Sequence, residues 1–106
     1  MSTNEEVKQK VIRKTLIGEW EPFTFDVKSR SFCVKNFSDG PCYVSFVDDD
    51  ETSESIKISS GMAEVCYITM LQNLANSFAR DTIYVYGTGE IEVEAIEWMD
   101  NYGKYL

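Results

Sequence analysis

The sequence predicts an all-β domain, an antiparallel β-sandwich of jelly-roll or Ig-like type with seven to eight short strands and one short helical turn. Three observations lead there. Apolar and polar residues alternate with period two through residues 23–28, 31–47 and 82–98, the signature of strands with one buried and one solvated face. Turn punctuation recurs at regular spacing, at Gly18, Ser38-Asp39-Gly40-Pro41, Ser60-Gly61 and Gly87-Thr88-Gly89, as in sandwiches and small barrels. The length of 106 residues and a hydrophobic content of 43% suit one domain, residues 1–106, with a modest core.

Taken in order, residues 1–10 read as a flexible polar arm. Residues 11–17 (VIRKTLI) are rich in β-branched side chains and read as a first strand, with an amphipathic helix over 5–16 as the competing assignment. Gly18 breaks the run. Phe23, Phe25 and Val27 share one face of a second strand. In residues 31–47 the sequence Ser-Asp-Gly-Pro predicts a hairpin with Gly40 in the left-handed position. That register sets Phe32 opposite Phe46 and Val34 opposite Val44, and turns Cys33 and Cys42 to opposite faces. Residues 48–54 are a loop, and a strand with Ile56 and Ile58 inward follows. Ser60-Gly61 leads into the strand of residues 63–70. Leu71, Leu74, Ala75 and Phe78 recur at helical spacing, which places a helical turn over residues 71–80.

The stretch around which the chain is organised is residues 82–98, TIYVYGTGEIEVEAIEW. Ile83 and Val85 alternate with Tyr84 and Tyr86, and Ile91, Val93 and Ala95 alternate with Glu90, Glu92 and Glu94. Gly87 and Gly89 tolerate the positive φ of a tight reversal, so an antiparallel hairpin is expected there. Alternation ends at Glu97, where the chain is expected to leave the sheet. Residues 99–106 form an aromatic tail, too apolar for a solvated end, that either folds back or covers a partner.

Charge is unevenly spread. The chain carries 10 basic and 18 acidic residues, net −8, and residues 15–106 hold 6 basic against 16 acidic side chains, a balance of −10. A body of that sign repels nucleic acid. Lys8, Lys10, Arg13 and Lys14 cluster near the start, where they either protect an exposed strand edge or dock on an acidic surface. No apolar run is long enough to span a bilayer, and the N-terminus lacks the apolar stretch of a signal peptide, so no membrane partner is expected. Cys33, Cys42 and Cys66 are odd in number with no C-x-x-C spacing, which predicts free buried thiols.

Histidine is absent, which removes the commonest general base and zinc ligand. Gly87-Thr88-Gly89 opens a strand and is no phosphate loop. Asp48, Asp50 and Glu54 fail the EF-hand pattern, because Ser53 and Ser59 stand where glycine and glutamate are required. Glu90, Glu92 and Glu94 have a spacing that superficially suits a glycosidase pair, but alternation puts them on the wet face. No catalytic residue, cofactor site or metal site is expected. The outward aromatics are the better clue: Tyr43, Tyr84, Tyr86, Trp98, Tyr102 and Tyr105 are the candidate protein-interface residues, with a sugar-binding face as the alternative.

With these residues in hand, the chain resembles the small β-sandwich proteins encoded among the virion structural genes of tailed bacteriophages and prophages. The stretches that carry the resemblance are WEPF, SFCVKNFSDGPCYVSF, SIKISSGMAEV and DTIYVYGTGEIEVEAIEW, together roughly residues 20–98. The resemblance implies a non-enzymatic virion component, of capsid-decorating or head-fibre type or a tail component, made in the bacterial host cytoplasm. Its implied partners are other virion proteins, capsid or tail, or further copies of itself. The helical insert at 71–80 and the aromatic tail depart from the family pattern, and the family supplies no catalytic residues.

Overall fold

The computed structural model describes residues 10–48, 50–52, 55–67, 79–96 and 98–99. Seven antiparallel strands form one sheet: β1 (Val11–Ser29), β2 (Ser31–Asn36), β3 (Cys42–Ser45), β4 (Ile56–Ile58), β5 (Ala63–Tyr67), β6 (Arg80–Ala95) and the two-residue β7 (Trp98–Met99). There is no α-helix among the described residues. The all-β, antiparallel expectation therefore holds. A sandwich has two sheets, whereas here every strand belongs to one sheet that curls toward a closed barrel.

The register explains the curl. One edge of β6 pairs with β1 along nearly its whole length, from Val11↔Glu94 to Thr24↔Thr82. The other edge is shared. β2 covers Ile91–Ala95 and β3 covers Tyr84–Tyr86, both antiparallel to β6. Strands β2 and β3 thus run end to end as one interrupted strand. Outside them lies a second interrupted strand, β5 beside β2 and β4 beside β3. Six of the seven strands are in effect four long ones, and β7 lies beside the far end of β1.

The three that flank or follow β6 are interrupted at the same level as its Gly87–Gly89, along a line that creases the sheet. In β1 the interruption is a bulge at Gly18, whose φ is 84°. Inward positions are even before it (Ile12, Leu16) and odd after it (Phe23, Phe25, Val27), as one inserted residue requires. Between the rungs Asn36↔Ile91 and Tyr43↔Tyr86 six residues, 37–42, pass only four of β6, 87–90. In the outermost strand the turn at Ser59–Met62 lies beside Asn36, whose N–H donates to Met62 O and whose carbonyl accepts from Gly61 N, both at 2.9 Å.

Gly87 and Gly89 make room for the loop that crosses them. A Cβ on Gly87 would lie 3.1 Å from the Cys42 Cβ, and one on Gly89 only 2.5 Å from the Ser38 Cβ. Buried Asn36 pins that loop. Its Nδ2 donates to the carbonyls of Gly40 (2.9 Å) and Ile58 (3.1 Å), and its Oδ1 accepts from Ser38 N and Oγ. No buried side-chain polar atom is left without a partner among the described residues.

The crease lets the sheet close on itself. Arg80 pairs with Ser29 and Ala95 with Phe32, positions at most about 11 Å apart along the chain. A straight strand of this length would separate its ends by about 50 Å, so β6 must bend sharply. Ser29 Oγ forms the corner between β1 and β2, donating to Ser31 O at 2.6 Å. The concave face holds the core, where Phe32 packs between Phe25 and Phe46 with centroids 5.6 and 5.8 Å apart.

Several expectations are corrected. In place of the hairpin expected at residues 82–98, residues 80–95 are the single strand β6, because its glycines serve a bend and a close backbone passage instead of a reversal. The hairpin at residues 31–47 is likewise an interrupted strand: Phe32 and Phe46 meet across the core, not across a ladder, and Gly40 is not among the glycines with positive φ. Gly18 bulges β1 without ending it, and residues 11–16 are strand, not helix. The expected exit from the sheet at Glu97 falls on a residue outside the described ones, but strand structure ends at Ala95 and resumes on the sheet at Trp98. Ile96 N donates to Ser31 O at 3.0 Å, and β7 pairs with Lys28 and Ser29. The expected helical turn falls largely on residues 68–78, outside the described residues, while Arg80 already belongs to β6. The N-terminal arm at residues 1–9 and the tail at 100–106 are also outside them.

Candidate docking face

The convex face of β6 displays two different surfaces on either side of the crease. On the N-terminal side the outward residues are Thr82, Tyr84 and Tyr86. Tyr86 is in register with Trp20 on β1 and with Tyr43 on β3, and Tyr43 is in register with Lys57 on β4. The rings touch across the strands: Trp20–Tyr86 centroids are 5.6 Å apart and tilted by 56°, Tyr43–Tyr86 6.3 Å and 59°. Tyr84 lies one rung further, between Pro22 and Ser45, and Thr24 and Thr82 share a hydroxyl hydrogen bond of 3.0 Å. Alternation and pairing on both edges hold these rings outward while Ile83 and Val85 fill the core.

On the C-terminal side the outward residues are Glu90, Glu92 and Glu94. Arg13 and Lys35 flank Glu92 from the two edges of the strand. Arg13 Nε and Nη2 both lie 2.8 Å from Glu92 Oε1, and Lys35 Nζ lies 3.3 Å from Oε2. The Arg13 hydrogen bond, joined by Lys35, holds the Glu92 carboxyl below its ordinary pKa although desolvation opposes it. The Glu92 hydrogen bond raises the Lys35 ammonium in turn. A glycosidase acid needs the reverse shift. Arg13 also reaches Glu90 at 3.8 Å. Of the basic cluster near the start, Arg13 and Lys14 are thus engaged on the chain's own surface, since Lys14 donates to Pro22 O at 2.6 Å and sits 5.1 Å from the Phe23 ring centre.

A groove of about 760 Å³ follows the crease between the two surfaces. Tyr43, Tyr86 and Phe37 line it, together with Asp39, Thr88 and Glu90. Phe37 is 56% exposed, and Ile17, in register with Thr88, is 70% exposed, so the groove has an apolar fringe.

Of the residues expected at an interface, Tyr43, Tyr84 and Tyr86 come together here. Trp98 lies in β7, which pairs with the far end of β1, and Tyr102 and Tyr105 fall outside the described residues. Sequence reading missed Trp20 and Phe37. Trp20, between two glutamates in Glu-Trp-Glu-Pro, carried a usable sign of an outward ring. Phe37 carried none, because its place depends on the interrupted strand. Asp50 takes up a structural task, accepting from Ser45 Oγ (2.7 Å) and Glu51 N (2.9 Å), while Glu54 is not described. Among the described residues no three His, Cys, Asp or Glu side chains gather as a metal site requires, and no helix is long and apolar enough to cross a membrane. Cys42 and Cys66 are buried and free, and Cys33 is a half-buried free thiol on the convex face.

No protein-family model matches the chain, and neither a curated protein nor a solved structure matches it.

Proposed function

We propose that the chain is a non-enzymatic structural or assembly protein that docks on a larger particle through the aromatic side of its convex face. The carrying observation is the rung Trp20–Tyr86–Tyr43, three half-buried rings set side by side on three paired strands. Rings of this kind supply large contact area at low entropic cost and anchor protein interfaces. The resemblance to small virion β-sandwich proteins of tailed phages supports a capsid-decorating or head-associated role, with a tail component as the nearest variant. In that reading the two halves of the creased sheet act as the two layers of a sandwich.

The test uses the particle proteins encoded beside this gene. Wild-type protein should co-sediment with their assembled form. The double variant Tyr43→Ser/Tyr84→Ser, checked for folding by circular dichroism, should not. Wild-type protein that stays in the supernatant, or a variant that sediments equally, would remove the reading. A second reading, a carbohydrate-binding module, is favoured by the groove itself, where tyrosines stand beside two carboxylates. It requires neutral oligosaccharides to perturb the Tyr43 and Tyr86 resonances.

A further inference from the structure

We infer that the groove at the crease takes a cationic side chain, arginine or lysine, presented by a protein partner. This rests on the reading of the aromatic face as a docking surface and names the chemistry it would recognise. Both charged side chains that line the groove are acidic, Asp39 and Glu90. Asp39 is exposed and has no hydrogen-bond or ion-pair partner among the described residues. Among the described residues the Glu90 carboxylate has only the 3.8 Å approach of Arg13, a side chain committed at 2.8 Å to Glu92. Arg13 and Lys35 are therefore spent on Glu92, and Lys57, in register with Tyr43, is not part of the groove lining, so the carboxylates of the groove are left for something else.

The rings supply the second half of the argument. Tyr43 and Tyr86 stand 6.3 Å apart and tilted by 59°, with Phe37 on the same lining. A cation within about 6 Å of such ring centres is attracted by their quadrupoles. Ammonium and guanidinium groups are donors with no acceptor, which suits fixed carboxylates. Hydroxyls such as Thr88 can turn their lone pairs toward the same donor. An anion would meet two like charges in a chain of net charge −8. Charge and ring placement thus select a positive group.

The probe is the capped peptide acetyl-Gly-Ser-Arg-Ser-Gly-amide, compared with the same peptide carrying citrulline, which keeps the shape and loses the charge. Amide resonances of isotopically labelled protein report binding. The arginine peptide should shift Phe37, Gly40, Thr88 and Gly89 and bind at least tenfold tighter than the citrulline peptide. The double variant Asp39→Asn/Glu90→Gln changes two exposed side chains, so it should melt like wild type and lose that preference. Equal binding of the two peptides, no binding, shifts outside the groove, or shifts given by maltotriose in their place would each overturn the inference. Failure here with co-sedimentation still dependent on Tyr43 and Tyr84 leaves the face docking by apolar contact alone. Failure of both removes the docking reading as well.

Discussion

On one side of the crease the outward residues of β6 are glutamates flanked by Arg13 and Lys35; on the other they are tyrosines flanked by Trp20 and Tyr43. Strand, alternation and pairing on both edges are common to the two halves, so backbone structure does not separate them. Their neighbours do. In the charged half Glu92 is covered by cations of the same chain, and its interactions are complete. In the aromatic half the rings touch one another only at a tilt and keep area toward solvent. The docking surface proposed above lies where neighbouring side chains have left interaction capacity unused. The groove lies where the two halves meet.

The crease that divides the halves should be the most sensitive place in the molecule. Gly89 has a φ of 121° and no room for a Cβ, which would sit 2.5 Å from the Ser38 Cβ. Gly89→Ala combines backbone strain with a collision against the crossing loop, so a loss of about 3 kcal/mol or more is expected. In thermal melting that corresponds to a fall on the order of 15 °C. Gly18→Ala should cost less, because its Cβ would meet only Thr88 Oγ1 at 3.6 Å and the strain at its positive φ is about 1–2 kcal/mol. If the two variants melt alike, close passage of the loop is not what holds the halves at their angle.

Next in size is the aromatic half. Tyr86→Ser removes both ring contacts of the rung, each worth about 0.5–1.5 kcal/mol, so a loss of roughly 2 kcal/mol is expected in denaturant unfolding. That loss should be the same at low and high salt. The charged half should differ by responding to salt. Glu92→Gln should cost roughly 1 kcal/mol at low salt, modest because both cations are substantially exposed, and less as salt rises. Its pH dependence has a defined sign. Glu92 is held below its ordinary pKa when folded, so its contribution is complete above the unfolded value of about 4.3. It is lost as pH falls through the lower folded value. The Glu92→Gln protein should therefore show a shallower acid limb, while Tyr86→Ser keeps the wild-type slope. A salt-sensitive loss in Tyr86→Ser, or a steeper acid limb in Glu92→Gln, would dissolve the contrast.

How much of this was legible in the sequence follows from the same two halves. The inward set, Phe23, Phe25, Phe32, Val34, Val44, Ile83, Val85, Ile91 and Val93, is buried as the alternation required. The outward tyrosines 43, 84 and 86 share one face. The path of the chain was not legible. A three-residue reversal at Gly87-Thr88-Gly89 would pair Val85 with Ile91 and leave every apolar residue on one face. The creased strand leaves the same faces. Ser38-Asp39-Gly40 poses the same ambiguity, since either arrangement keeps Val34 and Val44 inward. Local pattern fixes which side of a strand is wet, whereas the choice between reversal and crease depends on partners far along the chain. Here those partners are β1, 51 to 83 residues from the positions it pairs with on β6. The groove inherits the ambiguity: Phe37 and Asp39 reach Glu90 only because the strand is interrupted.

The smallest effect expected concerns no loss of stability at all, only the order in which the two halves open. Each half holds one buried thiol: Cys42 on β3 beside the aromatic surface and Cys66 on β5 beside the charged one. Burial pushes both up to about 12, with Glu64 adding to the effect at Cys66. Neither can react as a thiolate near neutral pH without opening. Cys33 is raised as well, chiefly by burial, but it is half-buried on the convex face, so iodoacetamide should modify it first. Strand β3 is held on both sides, by β4 and β6, whereas β5 pairs only with β2 among the described strands. An edge strand opens at lower free energy than a central one. Native-state labelling followed by mass spectrometry should therefore give the order Cys33, Cys66, Cys42, and a three-thiol count on unfolded, unreduced protein. If Cys42 is labelled before Cys66, the aromatic half is the looser one. Its rings would then have to order on docking, instead of offering the partner a preformed surface.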